Sequence, residues 1–368
     1  MRATSLHMTT LFDTLTLGSL TLKNRMVLAP MTRSRALGNV PNAMMAQYYA
    51  QRAGGGLLIT EGTGPSPNGT GYARIPGIFN AAQIAGWKAV TEAVHAKGSR
   101  IVMQLMHTGR VGHPDNLPVG GALVAPSALA APGKMYTDSQ GEQAMPVPRE
   151  MTEADIAAAI AEFVNAAKNA IEAGFDGVEL HGANGYLIEQ FLNPATNQRT
   201  DGWGGTWERR NRFALEVATA VAAAIGGKRV GIRLSPHSVN QGMAEYPEIE
   251  AQYAALARGL GERGLLYVHL VDHSGMGAPK PKPETFDAIR REFKGPIILC
   301  GAFDLARANE VLAKGEAHGI AFGRSYLANP DLPERLQQGA ALNPPDFSTL
   351  YTPGEKGYLD YPVLPGSR

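Results

Sequence analysis

The sequence predicts an α/β protein folded as a closed (β/α)8 TIM barrel, and three observations lead to this fold class. Short apolar runs alternate with longer helical patterns along most of the 368 residues, about eight times in all. Each run is continuously apolar, as expected when helices cover one face of a parallel sheet and a barrel interior covers the other. No break in composition divides the chain, so residues 1–368 are expected to form a single domain. An open, doubly wound sheet is the alternative architecture.

The apolar runs give the predicted barrel strands in chain order: Arg25–Leu28, Leu57–Glu61, Ile101–Leu105, Gly177–Leu180, Val230–Leu234, Tyr267–Val271, Ile297–Leu299 and Gly319–Phe322. The predicted helices are Asn42–Arg52, Ala81–Lys97, Thr152–Ala173, Thr206–Ile225, Ile249–Arg263, Pro283–Phe293, Asp304–Lys314 and Pro330–Gln337. Thr152, Thr206 and Pro283 are residue types that begin helices. Glycines that end helices follow five of these segments: Gly98, Gly174, Gly226, Gly264 and Gly315.

Two regions fall outside this repeat. Leu15–Lys23 has Gly18-Ser19 at its centre and predicts an N-terminal hairpin that plugs the bottom of the barrel. Val111–Arg149 is a long insertion, rich in Pro and Gly, after the third barrel strand. Loops of this length in compact domains are usually functional or disordered, so the insertion is interpreted as a lid over the active site, carrying Lys134 and Tyr136.

Composition excludes several classes of protein. The formal net charge is +1, from 34 basic and 33 acidic residues, and without a basic cluster no nucleic-acid partner is expected. The lone cysteine, Cys300, cannot form an internal disulfide, a cysteine-ligated iron–sulfur cluster or a cysteine-rich zinc site, and no metal is expected. Because Cys300 follows the apolar run Ile297–Leu299, it is interpreted as a buried, inert thiol. The N-terminus lacks a secretory signal, and Ile156–Ile171 is too polar to span a membrane, so a cytoplasmic location without a membrane partner is expected.

Polar side chains cluster after the fourth predicted strand, where the chain reads His181-Gly182-Ala183-Asn184-Gly185-Tyr186. Reactive groups of α/β barrels stand at the carboxyl ends of strands. Glycines permit a turn that brings His181 and Asn184 together, and two donors on one oxygen suit a carbonyl or nitro substrate on which negative charge develops. Tyr186 is a poor base at neutral pH but can protonate a carbanion-like carbon. A glycine-rich turn with satisfied polar groups is the alternative.

The last two strands end in a pattern typical of phosphate binding. Gly301-Ala302-Phe303 follows the seventh strand and Gly323-Arg324 follows the eighth. Barrels often bind phosphate between these two loops through backbone N–H groups. Arg324 adds a guanidinium that stays charged, so an anionic ligand group is expected there.

Two polar residues, Gln104 and Arg233, lie within otherwise apolar strands and are expected to point into the barrel or its mouth. A buried arginine without a partner is costly, and a cofactor with carbonyl oxygens and anionic character would satisfy it. The alternative is an internal ion pair with Glu61 or Glu179.

Several motifs together resemble the old yellow enzyme family, in particular its bacterial N-ethylmaleimide, pentaerythritol tetranitrate and xenobiotic reductases. They are Leu28-Ala29-Pro30-Met31-Thr32, Gln104-Leu105-Met106-His107-Thr108-Gly109-Arg110, the His181–Tyr186 run, Phe191-Leu192-Asn193-Pro194 with Asn197, Arg199-Thr200-Asp201-Gly202-Trp203-Gly204-Gly205 and Ala321-Phe322-Gly323-Arg324. The matches run in order from about Leu11 to Pro362, nearly the whole chain.

The resemblance implies non-covalent FMN across the barrel mouth. Its cofactor-binding residues would be Pro30, Met31, Thr32, Gly62, Gln104, His181, Arg233, Gly301, Ala302, Phe303, Gly323 and Arg324. Thr32 would reach the flavin carbonyl that tunes its potential, where another branch of the family has a cysteine. Gln104 and Arg233 would bind the pyrimidine edge, and the two glycine loops with Arg324 would hold the phosphate.

The same resemblance implies catalytic roles for His181, Asn184 and Tyr186. His181 and Asn184 would bind the substrate's carbonyl or nitro oxygen, and Tyr186 would protonate its α-carbon. Tyr72, Met106 and Tyr351 would also line the substrate pocket. Met106 replaces a tryptophan common in the nearest relatives and predicts a wider pocket, because a thioether is smaller and more flexible than an indole.

The implied activity is NADPH- or NADH-dependent ene-reduction of α,β-unsaturated carbonyl or nitro compounds by a ping-pong cycle, with nitrate esters or nitroaromatics as further substrates. A monomer or homodimer is expected. The alternatives are a flavin-free, phosphate-binding aldolase or isomerase, for which Asp272-His273 at the sixth strand end offers no Schiff-base lysine, and a non-catalytic flavin- or steroid-binding protein. Dienoyl-CoA reductases and amine dehydrogenases share the barrel but need a cysteine-ligated cluster.

Overall fold

In a computed structural model, which describes residues 8–367, eight parallel strands close into a barrel. The strands along the chain are β1 (Leu15–Leu17), β2 (Leu20–Leu22), β3 (Met26–Leu28), β4 (Leu57–Ile59), β5 (Arg100–Leu105), β6 (Val124–Ala125), β7 (Lys134–Thr137), β8 (Gly141–Ala144), β9 (Arg149–Glu150), β10 (Gly177–Gly182), β11 (Val230–Leu234), β12 (Tyr267–Val271), β13 (Ile297–Cys300) and β14 (Gly319–Phe322). The α-helices are α1 (Ala43–Gln51), α2 (Ala81–His95), α3 (Glu153–Glu172), α4 (Leu187–Leu192), α5 (Trp207–Ile225), α6 (Ile249–Glu262), α7 (Pro283–Phe293), α8 (Leu305–Ala313), α9 (Arg324–Ala328) and α10 (Leu332–Gln338).

The barrel order β3-β4-β5-β10-β11-β12-β13-β14 follows the chain, and pairing of β14 with β3 closes it. The predicted fold class is therefore confirmed, and closure excludes an open sheet. The register sets the level of the polar side chains. His181 on β10 pairs with Arg233 on β11, and Glu179 on β10 pairs with Gln104 on β5.

The predicted N-terminal hairpin forms from β1 and β2, with Gly18 in the left-handed conformation at its turn. Leu17 and Leu22 are fully buried in the cluster that fills the barrel interior, together with Leu57 and Leu266. Because these side chains close the bottom of the barrel, the open end lies at the carboxyl ends of the strands.

The predicted helices form within two residues of their expected bounds. Thr152 begins α3 with a capping box to Asp155, whereas Thr206 precedes α5 without a side-chain cap. The five glycines predicted to end helices all have positive φ. Helices α4 and α9 were not predicted, because they have only six and five residues and α4 is buried on every side, which removes the amphipathic pattern. None of the described helices is long and apolar enough to cross a membrane.

The predicted lid, Val111–Arg149, contains the β7–β8 hairpin and the short β6–β9 pair. Its buried side chains Val111, Ala131, Met135 and Met145 form a separate cluster, against which two tyrosines, Tyr72 and Tyr186, pack. The insertion therefore extends to the barrel mouth, where its apolar cluster packs against these two tyrosines.

Residues 347–358, here called the C-terminal strap, run along the barrel mouth, and Arg74 bonds both to Tyr351 O in the strap and to Asp138 in the insertion. Two fully buried arginines, Arg33 and Arg35, follow β3 and hold the strap. Their guanidinium groups donate to the carbonyl oxygens of Thr349, Leu350, Gly354, Lys356 and Gly357 at 2.6–3.2 Å. The strap thereby brings Tyr351 to the rim of the barrel.

Candidate active site

A cavity of about 470 Å³ opens at the carboxyl ends of the barrel strands. It brings together most residues predicted for the site: Pro30, Met31, Thr32, Gly62, Gln104, Met106, His181, Asn184, Tyr186, Arg233, Gly301, Ala302, Gly323, Arg324 and Tyr351. Two predicted residues do not line it. Phe303 lines a neighbouring cavity of about 180 Å³, and Tyr72 reaches the site through Tyr186.

A buried polar network forms the floor of the cavity. Glu179 is fully buried and accepts hydrogen bonds from Gln104 Nε2 at 2.9 Å and Tyr267 Oη at 3.0 Å. Its Oε2 also lies 2.9 Å from His269 Nδ1. Burial alone would raise the pKa of Glu179, but the attraction of His269 and Arg233 and the hydrogen bonds lower it below its usual value. The network fixes the side chain of Gln104 and keeps the carboxylate ionised.

Arg233 is buried beside this network without a carboxylate of its own. Its Nη2 lies 3.5 Å from Cys300 Sγ, and its Nε is buried without a hydrogen-bond partner. Among the described residues it makes no ion pair, so the predicted alternative with Glu61 or Glu179 does not form. A buried guanidinium with an unmet donor at a cavity wall fits an anionic or carbonyl-bearing ligand.

His181 is a neutral hydrogen-bond donor toward the cavity. Burial, and then the positive charge of Arg233, lower the pKa of its imidazole well below the usual value. Its Nδ1 accepts the backbone N–H of Ala183 at 3.3 Å. Because a neutral imidazole carries one proton, that proton resides on Nε2.

Asn184 is held in a turn that the glycines of the motif permit. Its φ is 61°, in the left-handed region, and its backbone N–H donates to Ser235 Oγ at 2.9 Å. The next backbone N–H, of Gly185, donates to Glu189 Oε2 at 2.6 Å, and Ser235 Oγ donates to Glu189 Oε1 at 2.8 Å. Glu189, on α4, thus fixes the turn from beneath. The arrangement brings Asn184 to the same cavity as His181, as predicted.

Tyr186 stands beside His181, with ring centroids 4.9 Å apart in an edge-to-face arrangement. Its hydroxyl oxygen lies 2.9 Å from that of Tyr72. Burial raises the pKa of Tyr186 to about 12, while the hydrogen bond with Tyr72 lowers it. The phenol is therefore protonated at neutral pH and can act as an acid rather than a base.

The predicted phosphate end of the cavity exposes backbone. A Cβ atom at Gly323 would meet only Met31 Sδ, at 3.7 Å, and one at Gly301 would meet nothing closer than 3.4 Å. Arg324 is exposed, and Gly275 O lies 3.5 Å from its Nη2. Open backbone beside an exposed guanidinium fits a phosphate group. At the other end a Cβ at Gly62 would overlap the thioether of Met106, so the Met106 side chain would have to move to accommodate a larger residue.

Sequence reasoning missed other residues that line the cavity: Ala29, Val271, Asp272, His273, Gly275, Met276, Cys300, Leu327, Phe347 and Leu350. His273 is the most informative, because its Nε2 lies 2.6 Å from Asn184 Oδ1. Reactive groups of α/β barrels follow the strands, so His273 could have been predicted from its place after the sixth predicted strand. Cys300 is buried as predicted, but it lies at the cavity wall against Arg233. Phe347 and Leu350 belong to the C-terminal strap and carried no sequence signal.

Comparisons with known proteins agree along nearly the whole chain. Residues 10–343 match the sequence profile of the NADH:flavin oxidoreductase / NADH oxidase family. The fold superposes on morphinone reductase with a TM-score of 0.93 at 46% identity, covering 98% of each chain. That protein has also been solved in complex with tetrahydroNAD. Chanoclavine-I aldehyde reductase of Penicillium roqueforti is 46% identical over 96% of both chains. The 12-oxophytodienoate reductase 1 of Oryza sativa subsp. japonica is 42% identical over 95% of this chain and 91% of its own.

Proposed function

Because the chain belongs to the NADH:flavin oxidoreductase / NADH oxidase family, which includes the old yellow enzymes, we propose that it is an FMN-dependent NAD(P)H ene-reductase. Its substrates are α,β-unsaturated carbonyl or nitro compounds, whose activated C=C bond it reduces. The observation that carries the proposal is one cavity where His181, Asn184 and Tyr186 meet above Gln104 and Arg233. Bound FMN would supply the hydride chemistry between the reduced nicotinamide and the β-carbon of the alkene.

The chain offers a complementary group for each part of FMN. Arg233, with its unpaired Nε, and Gln104 would bind the electron-rich pyrimidine edge. Pro30, Met31, Thr32 and Gly62 would lie beside the ring, and the backbone of Gly301, Ala302 and Gly323 with the guanidinium of Arg324 would hold the phosphate. We include one FMN-binding domain, residues 1–368, in the proposal.

His181 and Asn184 polarise the substrate. His181 Nε2–H and Asn184 Nδ2–H2 donate to the carbonyl or nitro oxygen, where negative charge develops as the alkene is reduced. Preorganised donors in a cavity shielded from water stabilise such charge more strongly than water does. Both donors are neutral, so they can bind the substrate by its oxygen without a change of protonation.

Tyr186 completes the reduction by transferring its phenolic proton to the α-carbon. The Tyr72 hydroxyl, 2.9 Å from Tyr186 Oη, would donate to the phenolate that this transfer leaves and stabilise it. General acid catalysis by a positioned group contributes about 10²–10⁴-fold to a rate.

The relatives support carbonyl compounds as the main substrates, since morphinone, 12-oxophytodienoate and chanoclavine-I aldehyde reductases carry the names of carbonyl compounds. The tetrahydroNAD complex of morphinone reductase supports a nicotinamide reductant. We propose NADPH or NADH as the reductant, nitrate esters or nitroaromatics as further substrates, and a monomer or homodimer in the cytoplasm. For a flavin-free aldolase, the described residues that line the cavity offer no lysine.

The test is an absorption spectrum of the purified protein, followed by anaerobic reduction with NADPH and reoxidation with cyclohexenone. We expect a flavin spectrum that bleaches with the nicotinamide and returns with the enone. A protein that takes up no FMN, or whose reduced flavin the enone leaves bleached, contradicts the proposal.

A further inference from the structure

His273 is a polar cavity residue that the steps above do not use. It follows β12, is half-buried and lies on the same cavity wall as Asp272. Its backbone carbonyl accepts from Met276 N at 2.8 Å and from Ala278 N at 3.3 Å, so a tight turn fixes its position. Its imidazole Nε2 lies 2.6 Å from Asn184 Oδ1, on a different strand-end loop.

The direction of this hydrogen bond follows from the chemistry of the two groups. An amide oxygen only accepts, so His273 Nε2 carries the proton and donates. Burial, and then the charge of Arg233, lower the pKa of His273 to about 4. The ring is therefore neutral near pH 7, and its single proton is engaged by Asn184.

The contact decides which end of the Asn184 amide faces the substrate. The backbone of Asn184 is fixed by Ser235, but that bond does not distinguish Oδ1 from Nδ2. Because His273 holds Asn184 Oδ1, the Nδ2 group is left to donate hydrogen bonds into the cavity. If the amide were rotated by half a turn, its oxygen would face the substrate oxygen and repel it.

We propose that His273 is a positioning residue that orients the Asn184 amide so that Nδ2–H2 is presented to the substrate's carbonyl or nitro oxygen. This inference rests on the proposed function, because it assumes that Asn184 binds the substrate. It adds a third side chain, from a separate strand, to the pair that polarises the substrate.

The test is a double-mutant cycle on the FMN-loaded protein, with His273→Leu, Asn184→Ala and the combined variant. The readout is the Kd of 4-chlorophenol, measured from the change in flavin absorbance, alongside KM and kcat for cyclohexenone. We expect His273→Leu to raise the Kd about tenfold in the wild-type background and to leave it unchanged in the Asn184→Ala background. His273→Gln, whose amide can still donate, is the rescue variant and should stay within about threefold of wild type.

Flavin content and Tm are measured for each variant, and Kd values are compared at full flavin occupancy. Equal effects of His273→Leu with and without the Asn184 side chain, or an unchanged Kd in His273→Leu, would overturn the inference. If wild-type protein neither binds the phenol nor reduces the enone, the proposed function itself fails, which is a separate result.

Discussion

At the scale of single residues, burial sets the protonation states of the groups that face the cavity. It lowers the pKa of His181 and raises that of Tyr186, so the first is neutral and the second protonated near pH 7. Arg233 strengthens the effect on His181. His181 and Asn184 can therefore donate hydrogen bonds, and Tyr186 can donate its proton, at the same pH. No group has to change its protonation before the substrate binds.

Replacing the proposed acid should separate the two halves of the catalytic cycle. In Tyr186→Phe we expect alkene reduction to slow by about 10²-fold or more, because the α-carbon loses its proton donor. Flavin reduction by NADPH, which needs no such proton, should stay within about twofold of wild type. Stopped-flow absorbance measures both steps, and an equal slowing of both would contradict the assignment.

Tyr72 should act through Tyr186. Tyr72→Phe removes the hydrogen bond at 2.9 Å that lowers the pKa of Tyr186, so that pKa should rise and proton transfer should slow. We expect alkene reduction to slow about tenfold, which corresponds to the loss of a hydrogen bond worth about 1.4 kcal/mol. Tyr136→Phe, in the exposed part of the lid, is the matched control. If both variants reduced the alkene at the wild-type rate, the tyrosine pair would have no such role.

At the scale of secondary-structure elements, α4 supports the site from beneath. Glu189 on this short helix accepts from Gly185 N, Ser235 Oγ and Tyr253 Oη, and burial raises its pKa to about 7. A carboxyl group whose pKa is higher in the folded state contributes most to stability at low pH. That contribution is lost as pH rises through about 7.

Glu189→Gln should therefore change the pH dependence of stability. Between pH 5 and 8 the free energy of unfolding of the variant should rise relative to wild type by on the order of 2–3 kcal/mol, because glutamine does not titrate. Denaturant unfolding of both FMN-loaded proteins at fixed cofactor concentration measures the difference. Other titrating groups are shared and cancel. A difference that stays constant with pH would show that Glu189 is ionised throughout.

Elements also show what the sequence could and could not predict. The barrel strands were predicted because each is a predominantly apolar run, and the phosphate-end glycines because they follow such runs. Helix α4 was missed because all its residues are buried, and His273 because its partner, Asn184, lies 89 positions away. The tautomer of His181 likewise depends on a backbone contact that no sequence pattern reports.

At the scale of the whole molecule, the barrel is closed at one end and open at the other. The hairpin of β1 and β2 fills the bottom with Leu17 and Leu22, and the cavity occupies the top. The bottom of the barrel therefore contributes mainly to stability, and the carboxyl ends of the strands hold the candidate active site, as is general for this architecture.

A change at the closed end should lower stability and leave the site intact. Leu17 is fully buried, so Leu17→Ala should reduce the free energy of unfolding by about 2–5 kcal/mol through lost apolar contacts and a cavity. Thr16→Ala, at the neighbouring exposed position, is the control. Thermal unfolding and the flavin spectrum are measured together. A loss of FMN affinity at a temperature where Leu17→Ala is fully folded would show that the two ends are coupled.

The C-terminal strap has a consequence for how the protein is made. The loop that carries Thr32 is anchored through Arg33 and Arg35 to carbonyl oxygens near the end of the chain. During synthesis these two arginines emerge long before their acceptors exist, so this wall of the barrel mouth can be finished only after residues 349–357 have been made. Cofactor uptake should accordingly follow synthesis of this segment, and nascent chains stalled before Thr349 should take up no FMN.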